Sequence, residues 1–65
     1  MSKRVTDSEK AFNQGVAFVL AFLIRDHGMP TLALDAMVNG GISLHDLERS
    51  GVDAYDLIPI KRAMA

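Results

Sequence analysis

Val16-Ala17-Phe18-Val19-Leu20-Ala21-Phe22-Leu23-Ile24 is an unbroken run of nine apolar residues in a chain of 65. A helix on the surface of a globular domain shows one apolar stripe and one polar face, so a helix that is apolar all round has to be enclosed on every side. So short a chain has little else with which to enclose it. The run therefore points first to self-association, with the helix buried between subunits.

The signals on either side of the run define the helix. Thr6 followed by Glu9 has the spacing of a capping box, in which Thr6 accepts from a first-turn amide and Glu9 reaches back to the Thr6 amide. Gly28 is a natural left-handed C-cap, and Pro30 prevents continuation. One long helix is expected over about 7–27. His27, in its last turn, is placed to complement the helix dipole when protonated.

Three shorter helices follow. Pro30 is tolerated in the first turn of a second helix over about 31–39, which Asn39-Gly40-Gly41 ends. Beyond it, Gly41-Ile42-Ser43-Leu44-His45-Asp46-Leu47 and Gly51-Val52-Asp53-Ala54-Tyr55-Asp56-Leu57 repeat one pattern at a ten-residue offset. Ser43 and Asp53 read as N-caps and Asp46 and Asp56 as third-position acids, while Ile42 with Leu47 and Val52 with Leu57 read as hydrophobic staples. Helices are expected over about 44–50 and 54–64, the last kinked or broken at Pro59, which lacks an amide donor and crowds the Tyr55 carbonyl. No stretch alternates with period two, so the fold class is all-α, a single domain of four helices.

At 100° per residue the long helix divides into two apolar faces. Phe12, Val16, Val19, Leu20, Leu23 and Ile24 form a broad aliphatic face, expected to receive the other three helices. Ala11, Gly15, Phe18 and Phe22, spaced by four, three and four, form a heptad-like seam flanked by Ala17 and Ala21. That seam is the expected contact with a second copy of the chain, in an isologous dimer. Gly15 read alone is no more than a tolerated helix glycine, costing about 1 kcal/mol relative to alanine.

Composition narrows the function classes. A domain of this size buries only about 60% of its unfolded surface, so an added support is expected. No cysteine is present, which removes disulfides, thiolate zinc sites and a cysteine nucleophile. Oligomerisation is the simplest support left. Apolar residues make up 49% of the chain, too many for disorder. The apolar run is far short of the roughly 18 residues that span a bilayer, and Asp7 and Glu9 separate Ser2-Lys3-Arg4 from it, against a secretory signal. A soluble, cytoplasmic protein is expected, without a membrane role.

The candidates for chemistry are weak. His45 and Glu48 share a helix face beside Asp46, but a metal site needs three or four convergent ligands. Neither His27 nor His45 has a nucleophile or carboxylate set beside it by spacing logic, and Asp26-His27 reads as a helix-end pair. Gly40-Gly41 lacks the spacing of a phosphate-binding loop. No enzyme activity, cofactor or metal is expected. Residues 34–47 have the outline of a helix-turn-helix, with an alanine, a glycine four positions on and an apolar residue beyond the turn. Its second helix would present His45, Asp46, Glu48 and Arg49, a net acidic set, in a chain of formal net charge -1 and pI near 6.0. Phosphate neutralisation supplies most non-specific DNA affinity, so nucleic acid is an unfavoured partner.

A protein-binding module remains as the first expectation, with a small DNA-binding regulator second and an oligomer holding a small ligand between subunits third. Tyr55 in an early-helix position, with His45, Glu48, Asp53 and Asp56, outlines a partner surface: an aromatic anchor with an acidic rim suited to a basic partner. In size and economy the chain resembles small accessory proteins of phages and mobile elements that bind and inhibit a host component, a resemblance that rests on no motif.

Overall fold

The computed structural model describes residues 6–65, so the basic stretch Ser2-Lys3-Arg4 lies outside the described residues. Four helices follow in order: α1 (Asp7–His27), α2 (Pro30–Gly40), α3 (Leu44–Arg49) and α4 (Ala54–Met64). Among the described residues no strand occurs. The molecule measures 35 × 20 × 18 Å. The 21 residues of α1, at about 1.5 Å rise each, account for most of the long axis.

Local chemistry sets the boundaries. At the start of α1 the Glu9 N–H donates to Thr6 Oγ1 at 3.1 Å, and the Thr6 N–H donates to Glu9 Oε1 at 3.0 Å. A left-handed glycine stands just past the end of each of the first three helices: Gly28, Gly41 and Gly51. After α1, the Gly28 N–H reaches the Ile24 carbonyl and the Met29 N–H the Leu23 carbonyl. The ten-residue repeat places a tighter closure after α2 and α3. Gly41 and Gly51 take φ of 66° and 73°, left-handed values that side-chain-bearing residues reach only at a cost. The next residues, Ile42 and Val52, donate back to Met37 and Leu47, closing a Schellman turn each time.

The two copies then diverge. Ser43 and Asp46 form a full capping box, with the Asp46 N–H donating to Ser43 Oγ and the Ser43 N–H to Asp46 Oδ2. Asp53 occupies the equivalent N-cap without a side-chain cap hydrogen bond. Its carbonyl alone receives the Asp56 and Leu57 amides.

Of the two outcomes expected at Pro59, a kink or a break, the break does not occur: α4 runs through it to Met64. Pro59 cannot donate to the Tyr55 carbonyl, which belongs to an exposed first-turn residue. One residue beyond the proline, Ile60 is fully buried and anchors the second half of the helix.

The core consists of Ala17, Leu20, Ala33, Met37, Leu47, Val52 and Ile60, with Val16, Ile24, Leu34, Ile42, Leu44 and Leu57 packed around it. Every helix contributes. α4 packs against all three of the others, most extensively against α1. The inward stripe of α1 differs from the broad aliphatic face expected. Ala17, Leu20 and Ala21 are buried and Val16, Leu23 and Ile24 are partly so, but Phe12 and Val19 are 64% and 52% exposed. Ala17 and Ala21, expected on the flank of the outward seam, are fully buried instead, and small side chains there let a neighbouring helix approach the α1 backbone closely. The inward stripe is Asn13, Ala17, Leu20 and Ile24, stepping by four, three and four. This is the step of Ala11, Gly15, Phe18 and Phe22, displaced by two residues and so turned by about 200°.

Candidate functional site

All four residues of the expected seam lie on the face of α1 turned away from the core. Phe18 and Phe22 are 58% and 42% exposed, and Ala11 and Gly15 are exposed as well. A Cβ built on Gly15 would meet nothing within 4 Å, so the backbone there is a bare notch in the helix surface. Phe12 and Val19 widen the apolar face on one side. An open groove of about 560 Å³ runs between α1 and α2, with Val16, Leu20, Leu23 and Ala36 in its lining and Phe12 and Val19 along it.

Three half-exposed phenylalanines leave on the order of 300 Å² of aromatic surface in water, taking about 200 Å² for each side chain. That area is of the size of the largest apolar patch on a typical monomer, which is often functional. The Phe22 ring is also oriented, since His27 meets it edge to face with centroids 4.7 Å apart. His27 therefore supports an aromatic residue of the exposed face, a contact that spacing along the chain did not suggest.

The expected partner surface divides into three places. Tyr55 and Asp56 gather around Arg25, a residue the sequence did not single out. The Arg25 guanidinium lies 4.4 Å from the Tyr55 ring centroid, and Nη1 is 3.9 Å from Asp56 Oδ1. Arg25 also pairs with Asp26 at 3.3 Å. The signal that would have found it is the two copies of the repeat: only the second carries a tyrosine beside its Asp, and an arginine is the natural partner of both. Tyr55, at 63% exposure, stands at a cleft of about 440 Å³ lined by Ile24, Arg25, Ile58, Pro59 and Arg62. Its surroundings therefore carry two arginines in addition to the acid.

Glu48 belongs elsewhere, paired with Lys61 at 3.2 Å across the α3–α4 contact. Both side chains are well exposed, so such a pair contributes about 0–1 kcal/mol. His45 and Asp53 are exposed in the first turn of α3 and at the N-cap of α4. Asp46 serves the cap of α3, and hydrogen bonds from Ser43, first from its backbone N–H and then from its hydroxyl, hold its carboxyl below the ordinary value. Among the described residues no three histidine, aspartate or glutamate side chains converge as metal ligands. No described helix is long and apolar enough to cross a membrane.

A polar contact missed in the sequence joins α1 to the end of α3. Ser50 is 1% exposed; its Oγ accepts from Asn13 Nδ2 at 2.8 Å and donates to the Asp46 carbonyl at 2.8 Å. Gln14 Nε2 donates to the Ser50 carbonyl at 2.9 Å. These bonds fix the rotation of α1 about its axis, and with it which face stays outside. α3, with six residues, is about 9 Å long, and one of its outward residues is the Glu48 already paired to Lys61. No family model matches the sequence, and no curated protein or solved structure matches it significantly.

Proposed function

We propose that this chain is a non-enzymatic, cytoplasmic interaction module that works as a homodimer, with the outward face of α1 as the subunit contact. The observation that carries the proposal is the uncovered stripe Ala11, Gly15, Phe18 and Phe22, which joins a bare backbone notch to two exposed rings on the longest helix of the chain. Burying such a face against its own copy supplies the apolar area that a 65-residue domain is short of. Tyr55 and Asp56, on α4, lie off the stripe, with Arg25 at its edge, and Tyr55 carries the contact with a second protein, tyrosine being a residue type that concentrates binding energy at interfaces.

The test is the concentration dependence of thermal unfolding. A dimer that unfolds to monomers melts at a higher temperature as protein concentration rises. The wild-type chain is expected to do so, and Phe18→Asp and Phe22→Asp are expected to keep their helical circular dichroism and lose the dependence. A wild-type melting temperature that does not vary between micromolar and millimolar protein contradicts the proposal.

A further inference from the structure

Along the outward stripe of α1 the side chains run small, small, large, large: Ala11, Gly15, Phe18, Phe22. We infer that two copies pair antiparallel along this stripe, about a two-fold axis level with the midpoint between Val16 and Ala17. The inference rests on the proposed role of the stripe as the subunit contact and adds its direction and register. The step of four, three and four is that of alternating d and a positions, and in an antiparallel pair each layer joins an a residue of one helix to a d residue of the other. About this axis Ala11 is level with Phe22 of the second copy, and Gly15 with Phe18 of the second copy. Both pairs share one centre. Every layer then holds one small and one large residue, and the helices keep an even separation.

A parallel pair gives the opposite result. Ala11 and Gly15 would meet themselves across a gap while Phe18 and Phe22 met themselves in a crowded layer, which splays the helices. The notch at Gly15 is open to a ring, since nothing in its own chain lies within 4 Å of a Cβ there. Val19, exposed beside the stripe, covers that notch from the second copy on the other flank.

Charge at the ends of the stripe favours the same direction. Asp7 and Arg25 lie on one edge of the outward face, at opposite ends of α1. The antiparallel register brings Asp7 level with Arg25 of the second copy, twice by symmetry, where it joins the Asp26 and Asp56 already paired with that guanidinium, whereas a parallel pair leaves Asp7 and Arg25 about 27 Å apart along the axis. Opposed helix dipoles add to the preference, since each positive N-terminus lies beside a negative C-terminus.

The natural sequence has no cysteine, so single cysteines report the register without interference. Ser8 and Asp26 are exposed on the other edge of the outward face and lie outside the four seam positions. In the inferred pair Ser8 neighbours Asp26 of the second copy, while each lies about 25 Å or more from its own equivalent by the helical rise. Under mild oxidation, an equimolar mixture of Ser8→Cys and Asp26→Cys chains is expected to give a disulfide-linked dimer of one chain of each kind. Either variant oxidised alone is expected to give at least tenfold less linked dimer. Efficient linkage of either variant to itself overturns the antiparallel register. Variants that sediment as dimers and link in no combination also overturn it, by placing the contact on another face. A chain that sediments as a monomer overturns the self-association reading itself, so the two failures are distinguishable.

Discussion

Ser50 and Asp46 do most of the polar work inside the fold, and each is accessible to a single substitution. Ser50 is the buried polar residue among those described, and Asn13 depends on its hydroxyl. Ser50→Ala leaves the half-buried Asn13 amide without that acceptor, so unfolding stability in urea is expected to fall by about 1–2 kcal/mol. A loss below a few tenths would mean that water replaces the bond at no cost. The Asp46 carboxyl is held below its ordinary 3.8 by Ser43. A group depressed on folding stabilises the native state above its unfolded value and loses that contribution as pH falls through the folded one. The carboxyl-carbon titration of Asp46 is therefore expected to have its midpoint below 3.8, and Ser43→Ala to move it upward. An unmoved midpoint in that variant would assign the shift to the Ser43 backbone N–H alone, and a wild-type midpoint at or above 3.8 would contradict the cap as its cause.

Glycine substitutions at the scale of the helix should act with opposite signs. Gly15 sits inside α1 with open space around it, so Gly15→Ala is expected to raise the stability of the isolated monomer by about 1 kcal/mol. Gly41 also has open space but holds φ at 66°, and Gly41→Ala is expected to lower stability by about 1 kcal/mol through backbone strain alone. Denaturant curves at high dilution measure both, and equal signs would contradict this division of roles. The helix boundaries were legible in the sequence within one residue because capping and left-handed termination act through neighbours: Thr6 with Glu9, Gly28, Gly41 and Gly51. The rotation of α1 was less legible. Asn13-Ala17-Leu20-Ile24, Phe12-Val16-Val19-Leu23 and Ala11-Gly15-Phe18-Phe22 all have one spacing, and in a run apolar on every side no local rule ranks them. What ranks them is non-local: the Asn13 and Gln14 bonds to Ser50 and the burial of Ala17 and Ala21 against the other helices. The same reason hid Arg25, whose partners Tyr55 and Asp56 are thirty residues away in the chain. At Pro59 the sequence left a kink and a break open, and the continuous helix through to Met64, with Ile60 buried, excludes the break.

For the whole molecule the governing quantity is apolar area. The four helices enclose seven central side chains and leave Phe12, Phe18, Val19 and Phe22 on one side in water. In the proposed dimer, pairing across the α1 stripe covers that surface. Sedimentation equilibrium of the wild-type chain and of Phe18→Asp at the same concentration tests this most directly. The wild type is expected at twice the 7.1 kDa chain mass and Phe18→Asp at 7.1 kDa with its helical content intact. A wild-type chain that stays at 7.1 kDa up to millimolar concentration, or a folded Phe18→Asp that keeps the doubled mass, would contradict the α1 stripe as the subunit contact.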